Sequence, residues 1–155
     1  MKKLIAYFSP SGNTKAMAEK LAKATGADLF EIKPQTPYTR ADLDWTNKNS
    51  RSSVEMNDKS YRPQIAQLPN SLANYDTIFI GFPIWWYVAP TIINTFLENV
   101  DLDGKKVIPF ATSGGTGIGY TMAKLQPSCP GANWVEGKVI NGMSEKALAD
   151  WAEKL

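Results

Sequence analysis

Three short apolar runs, at residues 4–8, 77–82 and 107–112, constrain the fold of this chain more than any other feature. Each run is rich in β-branched or aromatic residues on consecutive positions, which is typical of a strand buried on both faces of a sheet. Residues 14–24 and 91–97 instead repeat apolar side chains at helical spacing. Strands that alternate with helices in this way pair in parallel, and helices cover both faces of their sheet.

Weaker segments complete the alternation. Residues 28–32 and 134–140 fit two more strands, and a last helix begins at Ser144. We therefore predict one α/β domain over residues 1–155, with a doubly wound five-stranded parallel sheet in the order 2-1-3-4-5. Pro109 lies inside the fourth strand, where it removes a ladder donor; we keep the strand and leave its exact pairing open.

The connection from 34 to 75 is long for a crossover between two strands. It is polar and carries charges of both signs, and we predict that it holds one helix and a surface loop. The loop is either a solvated excursion or a lid and docking surface over a neighbouring site, because long ordered loops are often functional.

The composition leaves few reactive side chains. The chain has no histidine and one cysteine, Cys129, which we interpret as a structural loop thiol. These counts exclude imidazole catalysis, a histidine-ligated metal site and a disulfide within the chain, so an enzyme of this composition would need a cofactor. The net charge of +2 is too balanced for binding to nucleic acid or an anionic membrane. With no long apolar segment, a cytoplasmic location is expected.

Hydroxyl and amide side chains crowd the segment between the first strand and the first helix. Its residues are Ser9, Pro10, Ser11, Gly12, Asn13 and Thr14. The free amides and positive dipole at a helix N-terminus favour a bound phosphate. The alternative is ordinary capping of the helix by Asn13 or Thr14. The Gly-Lys-Ser/Thr sequence of a Walker loop is missing, so a Walker-type loop that binds nucleoside triphosphates is excluded.

Aromatic residues follow the third strand, in the segment Pro83, Ile84, Trp85, Trp86 and Tyr87. Neighbouring residues cannot all face one core, and prolines on both sides stiffen the segment as a loop. Aromatic planes on such a loop suit a flat, conjugated ligand. The alternatives are that they pack beneath the loop or form a protein interface.

Glycines follow the fourth strand, in the segment that contains Thr112, Ser113, Gly114, Gly115 and Gly119. They let the backbone approach a ligand edge and offer it N–H and C=O groups, or they simply make the loop flexible. The glycine spacing differs from G-x-G-x-x-G and follows a late strand, so we reject a dinucleotide fingerprint.

In the predicted order, strands 1, 3 and 4 are neighbours and their carboxyl ends share one edge of the sheet. The crevice between strands 1 and 3 is the switch point at which such folds bind ligands. The three loops therefore converge, and a phosphate site, an aromatic plane and a polar ring edge together describe FMN.

With these residues in hand, the chain resembles the flavodoxins. Residues 9–14 are similar to the phosphate motif T/S-x-T/S-G-N-T of that family, and residues 81–86 and 110–115 resemble a bacterial flavodoxin-like branch. The resemblance implies that the FMN phosphate is held by Ser9, Ser11, Gly12, Asn13 and Thr14. It implies a flavin ring lined by Pro83, Ile84, Trp85, Trp86 and Tyr87, with one of the two tryptophans stacked on it. It also implies bonds to the ring edge from Thr112, Ser113, Gly114, Gly115 and Gly119.

The resemblance implies a carrier of low-potential electrons between redox partners, as a monomer or weak dimer. The alternative is an FMN-dependent NAD(P)H:quinone oxidoreductase that passes electrons to a small acceptor. Flavodoxin carriers are usually strongly acidic, whereas this chain has a net charge of +2 and no carboxylate in the three loops.

Functions of other classes fit less well. A signalling receiver domain needs an acidic cluster after the first strand, where Tyr7, Phe8 and Ser9 stand instead. A serine hydrolase built on Ser113 lacks a histidine. An interaction module without flavin, anchored by residues 85–87, remains open as a minority interpretation.

Overall fold

The computed structural model describes residues 2–115 and 117–155, which build a parallel β-sheet between helices. The strands are β1 (Lys2–Tyr7), β2 (Asp28–Glu31), β3 (Tyr75–Pro83), β4 (Lys106–Thr112), β5 (Asn133–Trp134) and β6 (Lys138–Val139). The helices are α1 (Asn13–Thr25), α2 (Arg51–Met56), α3 (Thr91–Glu98), α4 (Thr121–Leu125) and α5 (Glu145–Glu153), with a 3₁₀ turn at Gln126–Ser128. The sheet order β2-β1-β3-β4-β5 confirms the predicted fold class.

The two faces of the sheet have separate cores. Ile5 of β1 and Phe79 of β3 are buried under α1 and α5, whereas Ile78 and Phe82 of β3 are buried on the side of α3. Successive side chains of a strand point to opposite faces, so a strand covered on both sides must be apolar at every position. This geometry accounts for the three uninterrupted apolar runs.

The fifth strand differs from its prediction. Residues 134–140 were expected to form one strand, but β5 pairs with the start of β4 and β6 pairs near its end. Val107 and Ala111 of β4 both accept hydrogen bonds from this side. Backbone groups of every second residue point to the same side of a strand. The N–H that Pro109 lacks would therefore point to the same side as the backbone groups of Val107 and Ala111. The carbonyl of Pro109 also leaves no room for a side chain at Gly137. The ladder is therefore interrupted between β5 and β6.

The long connection holds α2 and a surface loop, as predicted. Its two ends meet in an isolated antiparallel bridge between Pro34 and Ile65. The amide of Gln35 donates to the carbonyl of Gln64, and the amide of Ala66 donates to the carbonyl of Lys33, both at 2.8 Å. The segment between these ends is thus a long loop that leaves the sheet and whose two ends are held together by hydrogen bonds. No helix in the described part of the chain is both long and apolar enough to cross a membrane.

The thiol of Cys129 is buried in the core on the α3 side of the sheet, with 6% of the residue exposed. Burial raises the pKa of this thiol, and the nearby charge of Asp103 raises it further. The reactive thiolate is therefore scarce at neutral pH. The position fits a structural thiol.

We expect native protein to react with iodoacetamide at Cys129 at least about tenfold more slowly than protein unfolded in guanidinium, because reaction needs a deprotonated, exposed sulfur. Mass spectrometry of samples quenched over time measures both rates. Equal rates in the two states would contradict the burial of this thiol.

Candidate functional site

The carboxyl ends of β1, β3 and β4 border two adjoining clefts with volumes of about 470 and 390 Å³. Both volumes lie within the range of small-molecule sites, roughly 300–1,000 Å³. The clefts share four residues, so they form one continuous groove. The shared residues are Ile84, Trp85, Ser113 and Gly114.

The first cleft lies at the N-terminus of α1. Gly12 has a φ of 93°, a left-handed conformation that favours glycine. The N-cap residue of α1 is Gly12, and not Asn13 or Thr14, while Ser9 Oγ accepts a hydrogen bond from the amide of Lys15 in the first turn at 2.8 Å. The amides of Asn13 and Thr14 have no acceptor within residues 2–115 and 117–155. These two free donors lie at the positive end of the helix dipole, beside a cleft that Asn13 lines, and this arrangement fits a phosphate.

A buried pair of hydroxyl groups joins the first loop to the third. Thr14 Oγ1 and Thr112 Oγ1 are 2.8 Å apart, and the two residues are almost fully buried. The side chain of Thr14 therefore ties α1 to the end of β4. What Thr14 offers to a ligand is its backbone amide.

Asn141 is a cleft residue that the sequence analysis missed. Its Oδ1 accepts from the amide of Ser113 at 2.9 Å, and its Nδ2 donates to the carbonyl of Ser113 at 2.8 Å. These two hydrogen bonds between the Asn141 side chain and the Ser113 backbone hold the start of the glycine loop. Asn141 and Gly142 line the first cleft, and the Asn-Gly turn directly after the last strand was the signal that could have found them.

Trp85 lies between the two clefts and is half-buried. The rings of Phe8 and Tyr38 meet it edge to face, with centroids at 5.8 and 5.7 Å. These contacts fix the indole from behind and leave it exposed to the groove. Trp85 is therefore the better placed of the two tryptophans to stack on a flat ligand.

Trp86 and Tyr87 form a tight turn that projects from the protein. The backbones of Trp85 and Val88 exchange two hydrogen bonds, at 2.9 and 3.1 Å, across these two residues. Both turn residues have positive φ, 47° for Trp86 and 72° for Tyr87, which is costly for aromatic side chains. The two rings are 43% and 61% exposed and line the second cleft, which is consequently the more aromatic one.

An ion pair between a buried glutamate and a half-buried arginine in the long connection supports this aromatic cluster. Arg51 Nε lies 2.9 Å from Glu55 Oε2, and the guanidinium stacks 3.7 Å from the centre of the Tyr38 ring. The Tyr38 hydroxyl donates to the other oxygen of Glu55. Burial, followed by this bond to Glu55, raises the pKa of Tyr38 far above its usual value, so Tyr38 stays a neutral donor. The connection thus holds Tyr38 against Trp85.

The connection also forms part of the second cleft. Leu43, Ser52 and Trp45 line it, and Trp45 is 73% exposed. The lid interpretation from the sequence thus has a structural basis, although the residues responsible were not identified there.

The groove brings together ten of the predicted site residues. They are Ser11, Asn13, Pro83, Ile84, Trp85, Trp86, Tyr87, Thr112, Ser113 and Gly114. Ser9, Gly12 and Thr14 shape the first loop without lining the groove. Gly115 and Gly119 are exposed and line neither cleft, and Thr116 of the same loop lies outside the described residues.

The groove has no charged walls. Within the part of the chain that the structure describes, no Asp, Glu, Lys or Arg side chain lines either cleft. A ligand phosphate would therefore be held by amides, hydroxyls and a helix dipole.

Comparison with known families identifies the family of this chain. A family model described as Flavodoxin matches residues 2–155. The chain belongs to the flavodoxin family. This flavodoxin-family chain is 53% identical to a candidate flavoprotein from Bacteroides eggerthii DSM 20697, with a TM-score of 0.95 over 99% of this chain and 96% of the other. A flavoprotein from Lactobacillus acidophilus NCFM, solved in complex with FMN, is 26% identical, with a TM-score of 0.73 over 97% and 98% of the two chains.

A curated relative of this flavodoxin-family chain is the uncharacterized NAD(P)H oxidoreductase YcaK of Escherichia coli. The two are 30% identical over 98 residues, which cover 63% of this chain and 45% of the relative. The match thus spans less than half of the length of that protein.

Proposed function

We propose that this flavodoxin-family chain binds FMN in the groove and carries low-potential electrons between redox partners through the bound flavin. The observation that carries the proposal is that free helix amides lie at one end of an uncharged groove and a fixed indole lies at the junction of its two clefts. FMN supplies the one- and two-electron chemistry that the side chains lack. The complex of the Lactobacillus acidophilus flavoprotein with FMN supports the choice of cofactor.

Each part of the groove has its own task in this proposal. The amides of Asn13 and Thr14 would hold the phosphate, and Trp85 would cover one face of the flavin ring. The backbone of Ser113, which Asn141 fixes, faces the ring edge. The uncharged, aromatic walls would disfavour added negative charge on a bound, reduced flavin ring, and so would lower its reduction potential.

Direct reduction by NAD(P)H is the second candidate function. Carriers that dock on basic protein partners present an acidic rim, and the described groove has none. Trp45, Trp86 and Tyr87 instead line the second cleft with exposed aromatic surface, which suits a small flat molecule. The oxidoreductase name of the Escherichia coli relative agrees with this alternative.

An anaerobic absorbance titration of purified protein tests both candidates. We expect flavin bands in protein loaded with FMN. Bands that bleach promptly with NADPH or NADH indicate a reductase, and bands that persist until dithionite or a separate reductase is added indicate a carrier. A colourless protein that takes up no added FMN would contradict the proposal and favour an interaction module.

Replacing Trp85 with alanine is expected to weaken FMN binding by about 1–3 kcal/mol, by analogy with the stacking of bases on aromatic side chains. Trp86→Ala is the matched variant and should have the smaller effect, because Trp86 lines only the second cleft whereas Trp85 lines both. Quenching of FMN fluorescence on titration with apoprotein measures both affinities. Wild-type affinity in the Trp85 variant would contradict the stacking role.

A further inference from the structure

Thr112, the last residue of β4, has a hydrogen bond to each of the other two loops that border the groove. Its carbonyl accepts from the amide of Ile84 at 3.0 Å, directly before Trp85 in the aromatic segment. Its Oγ1 lies 2.8 Å from Oγ1 of Thr14, in the first turn of α1. One residue thus joins the wall that the proposed function assigns to the phosphate and the wall that it assigns to the flavin ring.

The position of Thr112 is itself well fixed. It pairs with Pro83 of β3 in the parallel ladder. The amide and the carbonyl of the next residue, Ser113, are both held by the side chain of Asn141. Threonine is branched at Cβ, which restricts the rotation of its side chain. The Thr112 hydroxyl is therefore presented to Thr14 from a rigid support.

The bond between the two hydroxyl groups is shielded from water. Thr14 is 1% exposed and Thr112 is 6% exposed. Removal of either hydroxyl leaves the other one buried without this partner, which costs more than the loss of an exposed hydrogen bond. The bond therefore holds the start of α1 firmly against the end of β4.

We propose that Thr112 is a positioning residue that sets the separation between the phosphate end and the ring end of the groove, through its hydroxyl bond to Thr14. The amide of Thr14 is one of the two free donors at the start of α1, and the carbonyl of Thr112 holds the amide that precedes Trp85. One FMN molecule must satisfy both ends at once, so an error in their separation lowers its affinity. This inference rests on the proposed binding of FMN.

Riboflavin distinguishes positioning from general stabilisation of the protein. It has the ring and the sugar chain of FMN but lacks the phosphate, so its binding does not depend on where the amides of α1 lie. Loss of the hydroxyl bond should therefore weaken the binding of FMN and leave that of riboflavin nearly unchanged. A purely structural role would weaken the binding of both flavins alike.

The test measures the quenching of flavin fluorescence by apoprotein of the wild type, of Thr112→Val, of Thr14→Val and of the double variant. Valine is close to threonine in shape but lacks the hydroxyl, whereas Thr112→Ser keeps the hydroxyl and is the rescue variant. Thr77→Val is the matched control, because Thr77 is also buried but lies near the start of β3, at the opposite end of the strand from the groove.

We expect the dissociation constant of FMN to rise about tenfold in Thr112→Val, and that of riboflavin to change by less than about twofold. Thr14→Val should give the same result. The double variant should bind FMN no more weakly than either single variant, because all three lack the same bond. Thr112→Ser and Thr77→Val should keep the wild-type ratio of the two dissociation constants.

Other outcomes overturn the inference. An equal loss of affinity for both flavins would make the bond purely structural, and additive losses in the double variant would show that the two hydroxyls act separately. A loss confined to Thr14→Val would place that hydroxyl on the phosphate itself and leave no role for Thr112. Thr14→Val breaks the same bond from the side of α1, so it keeps the test decisive if Thr112→Val does not fold. Wild-type apoprotein that binds no FMN would instead refute the proposed function.

Discussion

Replacing Gly81 with alanine is expected to lower the free energy of unfolding by about 2–3 kcal/mol, which is typical of an overpacked core. Gly81 lies near the end of β3, and a Cβ added there would overlap the ring of Phe110 on β4. That ring is fully buried, so it cannot move into solvent. Urea unfolding followed by tryptophan fluorescence measures the loss.

A second substitution checks the mechanism. Phe110→Leu removes the ring that the new methyl group would meet, so the double variant should lose less stability than the sum of the single variants, by about 1 kcal/mol. Gly119→Ala, where a Cβ meets open space, should change stability by no more than about 0.5 kcal/mol. Strict additivity at Gly81 and Phe110 would show that the overlap is not the cause.

Glu55→Gln is expected to cost about 2–3 kcal/mol of stability and to weaken FMN binding as well. Loss of one partner from a buried pair leaves the other charge uncompensated. Here it removes the carboxylate that lies 2.9 Å from Arg51 Nε and the anionic acceptor of the Tyr38 hydroxyl. Since Tyr38 holds Trp85 from behind, the indole should become less ordered in the groove. Thermal unfolding and FMN titration measure the two effects.

Asp42→Asn is the matched control for Glu55→Gln. Asp42 also approaches Arg51, but at 4.0 Å and with a partly exposed carboxylate, so its loss should cost no more than about 0.5 kcal/mol. Similar losses in both variants would mean that charge near Arg51 matters and that the buried geometry of Glu55 does not.

Much of the fold could be predicted because it follows from local patterns. Apolar runs predicted the buried strands, and helical spacing predicted α1 and α3. Ser144 was predicted to begin the last helix, and its side chain accepts a hydrogen bond from the amide of Ala147 as the cap of α5. Alternation predicted parallel pairing, and the order 2-1-3-4-5 was the simplest doubly wound arrangement of five strands. It placed three loops at one edge of the sheet, which was enough to identify the region of the site.

What could not be predicted depends on contacts between distant residues. The separation of β5 from β6 depends on which neighbouring strand the backbone of Pro109 faces and on how closely its carbonyl approaches Gly137. The different environments of Trp85 and Trp86 depend on Tyr38, which is brought there by an ion pair of the long connection.

The break between β5 and β6 also affects how this sheet meets other chains. An uninterrupted outer strand would present a row of free backbone groups on which a neighbouring molecule can add its own strand. Here that border consists of two strands of two residues each, out of step across Pro109 and Gly137. At the opposite border, β2 has only four residues and begins and ends with carboxylates, Asp28 and Glu31. Both borders therefore disfavour edge-to-edge polymerisation, which protects a very apolar sheet from amyloid-like growth.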